Sequence, residues 1–263
     1  MLDLSSKFEK KLSKEFETKG FIKEKIPNKI FKEIENIFTK FIKKEIKLTK
    51  KYSNSYLLNN FHRFIGQKEL NNFRIKLITF INKDQNFRKK FFLSAKPYLE
   101  ILVGNELMMQ NNINLSIQLP NDDSSLLPVH SDVWSGDSPF EIVVWMPLVN
   151  CYKTKSMYIL PPKKYKKMEK NFKSLLAKDS EAIFKKIKKN LKWINIKKGE
   201  ILLFNQSLPH GNRVNLEKET RWSMNCRFKS IFSPYGDKKI GEFFQPITLK
   251  KVSELAMSYR LPE

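Results

Sequence analysis

His130 and Asp132, in the segment LLPVHSDVWSGDSPFE, stand two residues apart in a chain with only three histidines. In extended backbone, residues i and i+2 point to the same face, so this imidazole and carboxylate can aim at one point while Ser131 faces away. The pair is two-thirds of a two-histidine, one-carboxylate site, the donor set that holds non-haem Fe(II) on one face and leaves positions open for small ligands. The only histidine downstream is His210, in EILLFNQSLPHGNRV, directly after a strand-like run. An HxD by itself is a weak motif, and His130 alone also reads as a hydrogen-bonded histidine beside a turn.

Eleven residues past His210, Arg221, Trp222 and Ser223 open another strand-like segment. The same spacing rule sets a guanidinium and a hydroxyl side by side, a donor set suited to gripping a buried carboxylate. The alternative is an exposed arginine on an ordinary surface strand. Arginine is scarce here, seven residues against 43 lysines, so its use at this position carries information.

With these residues in place, the sequence resembles the Fe(II)/2-oxoglutarate-dependent oxygenases of the double-stranded β-helix fold. It looks most like the phytanoyl-CoA dioxygenase-like branch, which carries HxD, a distant His and a following Arg. Within that branch, HSDVWSGDSPFEIVVWMPLVNCYKTKSMYILPP is similar to oxygenases of bacterial carbohydrate and surface-polysaccharide gene clusters, the StrG-like group among them. The likeness runs over residues 110–235. It implies that His130, Asp132 and His210 bind iron and that Arg221 with Ser223 binds the distal carboxylate of 2-oxoglutarate, O2 being the third reactant. It also implies that Gln118 and Trp145 line the co-substrate pocket. Related halogenases lack the carboxylate ligand, so Asp132 points to hydroxylation, or to a desaturation or epimerisation that also begins with hydrogen abstraction. One departure concerns the glycine-rich turn of the phytanoyl-CoA type, where this chain has SMYILPPKKYKK; lipid substrates therefore do not carry over.

The expected substrate is a carbohydrate or other small polar, possibly anionic, metabolite. Trp134, Asp137 and Ser138 after the iron motif, Tyr158 on the next strand, and Arg213 and Arg227 at the far end are its candidate contacts. Each also reads as ordinary loop or core packing. Two other functions fit parts of the pattern. One is a cupin-like metalloenzyme that does not use 2-oxoglutarate, which gives Arg221 no task. The other is a non-catalytic basic module that binds polyanions, which leaves the three metal donors and Arg221 unexplained together.

Composition bounds the rest. The chain has 263 residues, 41% of them hydrophobic with 21 Phe, enough for a sizeable core. Its net charge of +23 comes from lysines spread along polar helix faces with acids interleaved, as in FEKKLSKEFETK. That pattern suggests solvated faces first and an anionic partner second, and nucleic acid is not an expected ligand. Cys151 and Cys226 form no CxxC, there is no bilayer-length apolar run, and the N-terminus lacks the apolar core of a signal peptide. A cytoplasmic location is the expectation.

The elements that must position these residues also show in the pattern. The spacing of Ile30, Phe31, Ile34, Ile37, Phe38, Phe41 and Ile42 predicts a helix, with Asn28 as its cap. The segments ELNNFRIKLITFINK and QNFRKKFFLSAKPYLEILVGNELM extend the helical texture, so residues 1–110 are expected to form a helical layer. From residue 111 to 235, INLSIQLP, PFEIVVWMPL, SMYILP, KWINI, EILLFNQ and RWSMNCRFKSIF read as short strands between turn residues. A lysine-rich helical insert, 161–191, interrupts them, and 236–263 form a tail with a helix. The expectation is a single domain, mainly β with flanking helices: a jelly-roll, cupin-like core behind a helical N-terminal region.

Overall fold

The run SSKFE starts the first helix. In the computed structural model, which describes residues 3–169 and 179–260, Ser6 and Glu9 form a reciprocal capping box at the head of α1 (Lys7–Lys19). The Glu9 N–H donates to the Ser6 hydroxyl and the Ser6 N–H to the Glu9 carboxylate, satisfying donors that a helix start leaves unpaired. Gly20 ends α1 at φ +79°, where an added Cβ would run into Leu208 Cδ1, so the position needs glycine for both its backbone and its surroundings.

The chain then enters β1 (Phe21–Lys25), a strand inside the region expected to be helical. FIKEK is short and lysine-bearing; what makes it a strand is its antiparallel pairing with β7 (Glu200–Asn205), far along the chain. Helix α2 (Asn28–Glu45) buries Phe31, Ile34, Phe38 and Ile42, as its spacing requires. Pro27, not Asn28, holds its cap position, and no side chain caps it. Helices α3 (Asn54–Asn59), α4 (Gln67–Lys83) and α5 (Gln85–Leu102) complete the helical part. Gly104, at φ +121°, follows α5, and the next apolar run becomes β2 (Leu107–Gln110). Residues 1–110 are therefore not purely helical: they lend two strands to the sheet. An apolar run of this length does not distinguish strand from buried helix by periodicity.

Beyond residue 112 the strand-like segments form as read: β3 (Asn114–Gln118), β4 (Ile142–Pro147), β5 (Met157–Ile159), β6 (Lys192–Trp193), β7 and β9 (Arg221–Ser230). Two further short strands, β8 (His210–Asn212) and β10 (Phe244–Pro246), join them. Of the lysine-rich insert, α6 (Pro162–Glu169) and α7 (Ser180–Ile187) are helical, while its residues 170–178 lie outside the described residues. The tail carries α8 (Lys251–Ser258). Among the described residues helices contain more residues than strands, but the sheets hold the site.

Among the described residues every strand pair is antiparallel. The larger sheet runs β1-β7-β4-β9-β2-β10, with β3 also on β9; the smaller runs β6-β5-β8. β9 is the longest strand, and β3 covers its first half, β2 its second, and β4 its other edge. Its alternate residues serve two environments. Trp222, Met224, Cys226 and Phe228 are buried in the hydrophobic core, whereas Arg221, Ser223, Asn225 and Arg227 line a cavity.

Trp222 joins the helices to this strand. Its ring lies 4.8 Å from that of Phe61, 6.1 Å from Phe38 and 6.2 Å from Phe73, and its indole N–H donates to the Leu58 carbonyl at 2.9 Å. We expect Trp222→Ala to destabilise the protein by about 3–5 kcal/mol through loss of this packing. A urea titration reads the effect as a lower midpoint, and a loss under about 1 kcal/mol would show that the helices do not depend on this anchor.

Candidate metal centre

Ser131 is extended, with φ −126° and ψ 134°, and this one residue sets His130 and Asp132 on the same side. The pair does not sit inside a strand, as the spacing suggested. His130 forms an isolated antiparallel bridge with His210, and Asp132 begins a 3-10 turn, Asp132–Ser135. The Ser131 hydroxyl points the other way and donates to the Ser207 carbonyl at 2.9 Å. Gly211 follows His210, and a Cβ there would approach the Leu127 carbonyl to 2.6 Å and the Tyr158 hydroxyl to 2.8 Å; glycine lets the two segments close up.

The bridge brings the three side chains together. His130 Nε2 is 3.4 Å and His210 Nε2 3.8 Å from Asp132 Oδ1, and one donor atom from each residue lies within 4.8 Å of the others. Each imidazole is oriented from behind: His130 Nδ1 is 2.7 Å from the Pro128 carbonyl and His210 Nδ1 2.8 Å from the Leu208 carbonyl. A carbonyl only accepts, so each Nδ1 carries a proton, and a ring that is neutral then presents its Nε2 lone pair to the shared point.

The charge states suit a cation. Burial by itself would raise the Asp132 carboxyl, but the hydrogen bond to His130 and the charges of His210 and Arg227 hold it well below the usual carboxylate range. Burial pushes the His210 imidazole down to about 4, and the charge of His130 adds to the effect. For His130, burial is the largest influence and acts downward, yet Asp132 and the Pro128 carbonyl outweigh it and the imidazole is raised. Asp132 is therefore held as a carboxylate and His210 as a neutral imidazole, two of the three donors already in their ligating forms. Two imidazoles and a carboxylate with no other anion on the shared point are a donor set fitted to a divalent first-row metal.

The same cavity, about 180 Å3, contains a second feature. Arg221 is 2% exposed, its Nη2 donates to Ser116 Oγ at 2.9 Å, and its Nε has no partner. Among the described residues no carboxylate pairs with it. Burial pushes its guanidinium down to about 10, which still leaves it charged at neutral pH. A buried, uncompensated cation is costly unless an anion joins it, and the cavity is where that anion fits. Ser223 stands beside Arg221 on the same face, and Trp145 lines the cavity from β4.

Not every candidate residue reaches the cavity. Gln118 is fully buried next to Arg221 in register, but its amide donates to the Arg213 carbonyl at 2.8 Å and it is not a wall of the cavity. Trp134 packs half-buried against the core. Asp137 is held by Lys238 at 2.6 Å, and the Ser138 hydroxyl donates to the Pro234 carbonyl at 2.6 Å. The Tyr158 ring packs 5.2 Å from Trp193, and Arg213 stacks 4.4 Å from Phe184 and pairs with Glu181. Trp134, Asp137, Ser138, Tyr158 and Arg213 do not line the cavity; each is engaged in packing, a hydrogen bond or an ion pair. Arg227 does line it, but its guanidinium binds Asp132 at 2.7 Å. Asn114, Ser116 and Asn225, none of them a candidate from the sequence, also line it. The signal was present: continuing the i, i+2 rule along RWSMNCR reaches Asn225 and Arg227.

No family model matches the chain, and no curated protein matches it in sequence. Solved structures do. SnoK, a non-haem α-ketoglutarate-dependent carbocyclase from nogalamycin biosynthesis, superposes with a TM-score of 0.55 at 11% identity, over 93% of this chain and 97% of SnoK. AviO1 from Streptomyces viridochromogenes Tue57 gives 0.55 at 11% identity, over 90% and 100% of the two chains. The chain has the fold of the non-haem, 2-oxoglutarate-dependent enzymes. HygX from Streptomyces hygroscopicus, whose structure holds nickel and 2-oxoglutarate, gives 0.51 at 11% identity over 90% of each chain. At these identities the likeness concerns the backbone, and the site rests on its own residues.

Proton competition gives a test. A ligating imidazole must be neutral, so metal affinity is full above the His130 pKa, which lies above 6.5, and falls as pH drops through it. We expect Ni(II) affinity, measured by calorimetry, to weaken between pH 8 and pH 6 with a slope approaching but not exceeding about tenfold per pH unit, one proton being displaced. His210 titrates too low to contribute in that range. A flat profile would remove His130 from the donor set.

Proposed function

We propose that this chain is an Fe(II)- and 2-oxoglutarate-dependent oxygenase acting on a carbohydrate or other small polar metabolite. The observation that carries the reading is the unpaired, buried Arg221 in the same cavity as the His130, Asp132 and His210 donors. A metal site alone would fit many enzymes. A metal site with a fixed cation across a small cavity fits a co-substrate that chelates at one end and carries a carboxylate at the other.

In this reading His130, Asp132 and His210 hold the iron, and Arg221 with Ser223 binds the distal carboxylate of 2-oxoglutarate. Iron, 2-oxoglutarate and O2 together supply the oxidising power, with succinate and CO2 as co-products. The chain supplies position. Ser116 orients the Arg221 fork, the carbonyls of Pro128 and Leu208 hold both Nε2 atoms toward the metal point, and Val143, Trp145 and Phe204 form an apolar wall that keeps water from the reacting atoms. Asp132 fills the carboxylate position, which favours hydroxylation, or a desaturation or epimerisation.

The two antiparallel sheets are read as the walls of a double-stranded β-helix of the phytanoyl-CoA dioxygenase-like branch, with residues 1–263 as one domain. The resemblance to carbohydrate-cluster oxygenases and the cavity's Asn114, Ser116 and Asn225 support a small polar substrate. Among similar structures, SnoN holds Fe3+, α-ketoglutarate and nogalamycin RO, a precedent for a small-molecule substrate, at 11% identity and a TM-score of 0.52. Two free, buried thiols accord with a cytoplasmic location, and among the described residues no helix is long and apolar enough to cross a membrane.

Anaerobic titration of the apoprotein with Fe(II) and then 2-oxoglutarate should produce a weak visible charge-transfer band that needs both ligands. Arg221→Met should weaken 2-oxoglutarate binding by about 2–5 kcal/mol, because it removes one partner of a desolvated charge pair, and should leave metal affinity unchanged. The same variant should be no less thermally stable than the wild type without co-substrate, since it deletes an uncompensated buried charge. Absence of the band in folded, metal-loaded protein would overturn the oxygenase reading.

A further inference from the structure

Arg227 was expected near substrate, and the structure gives it other work. It lies six residues past Arg221 on the cavity face of β9, and every group on its fork is engaged. Nη2 donates to Asp132 Oδ2 at 2.7 Å, Nε to Gln206 Oε1 at 2.9 Å, and Nη1 to Gln110 Oε1 at 3.2 Å. Asp137 Oδ1 is a further 3.4 Å from Nε.

Gln206 is fully buried and ties the same parts together twice. Its carbonyl accepts from the Asp132 N–H at 3.1 Å, while its side-chain oxygen accepts from Arg227. Its amide nitrogen donates to Glu141 Oε2 at 2.7 Å and to the Ser138 carbonyl at 2.9 Å. Four residues later the same segment supplies His210. One residue therefore sets the Asp132 backbone, the arginine that grips its side chain, and the loop to the second histidine.

We propose that Arg227, held by Gln206, is a positioning residue that commits one oxygen of Asp132 and so limits that ligand to a single metal bond. The inference rests on the functional reading above. The Asp132 carboxylate has two oxygens. Oδ1 lies nearest both Nε2 atoms, at 3.4 and 3.8 Å, and Oδ2 accepts from the Arg227 guanidinium at 2.7 Å. A free carboxylate can turn and chelate through both oxygens, which would fill one of the positions that co-substrate and O2 require. The Arg227 charge also offsets Asp132, Asp137 and Glu141, which lie within 4.0 Å of it. With that charge spent on three carboxylates, Arg227 is not available as an anion receptor for substrate.

Metal binding to the full-length apoprotein tests this without turnover. Ni(II) affinity by calorimetry and the visible d–d absorption of the Co(II) form are measured for Arg227→Gln, Arg227→Lys and Gln206→Leu, and for Arg227→Gln combined with Asp132→Asn. Arg227→Gln should weaken binding by about 10- to 100-fold, as loss of an outer-shell partner does. Its Co(II) absorption should weaken as coordination number rises. Arg227→Lys should recover part of both, and Gln206→Leu should fall between, which keeps the test open if Arg227→Gln does not fold. In the Asp132→Asn background Arg227→Gln should change affinity little, because the group it positions is gone. Wild-type affinity and spectrum in both Arg227→Gln and Gln206→Leu, or the same loss in both backgrounds, would overturn the proposal. A wild type that binds metal but gives no 2-oxoglutarate band would sink the oxygenase reading while leaving the coordination result for Arg227 to stand or fall by these measurements.

Discussion

Strand β9 must satisfy two incompatible environments with one run of ten residues. Its period of two makes this possible: odd positions from Arg221 to Arg227 are polar and line the cavity, and even positions from Trp222 to Phe228 are apolar and buried in the core. A slip of one residue would place Trp222 and Met224 in the cavity and bury four polar groups in the core. Register is therefore fixed from both faces at once. Trp222 anchors one face among Phe38, Phe61 and Phe73, while Arg221 and Ser223 face Ser116 across β3.

The cavity places unlike charges where their effects differ. Arg227 is surrounded by carboxylates and acts on Asp132, whereas Arg221, at the other end of the same row, has none and keeps its charge for a ligand. Desolvation that costs stability in the empty protein becomes binding energy when an anion arrives, so the stability given up at Arg221 is tied to its affinity for that anion. The large aromatic core beneath β9 is what can support that cost. Helices α2 to α4 thus contribute to the chemistry without touching it, by holding the strand that carries both arginines.

Much of this was legible before any coordinates. Among the described residues, six of the ten strands announced themselves by β-branched and aromatic runs between turn residues, and α2 by its spacing. HSD, His210 and the Arg221–Ser223 pair followed from residue types and the i, i+2 rule. Strands β1 and β2 were hidden because FIKEK and LMMQ are too short for a period to show; they are strands because β7, β9 and β10 lie beside them. Asp137 pairs with Lys238, Ser138 with the Pro234 carbonyl and Arg213 with Glu181, while the Tyr158 ring packs on Trp193; no local spacing shows these partners.

The sequence by itself determined which donors exist and which of them share a face, since side-chain chemistry and backbone period are local properties. It could not decide whether a charged side chain meets a ligand or another side chain. Arg221 and Arg227 are chemically identical and six residues apart on one strand face. Their different tasks come from which carboxylates the fold brings within ion-pair distance, and those carboxylates stand on a turn and loops 80 to 100 positions away in the chain. Electrostatic pairing depends on distance and burial in three dimensions, and only the tertiary structure sets those.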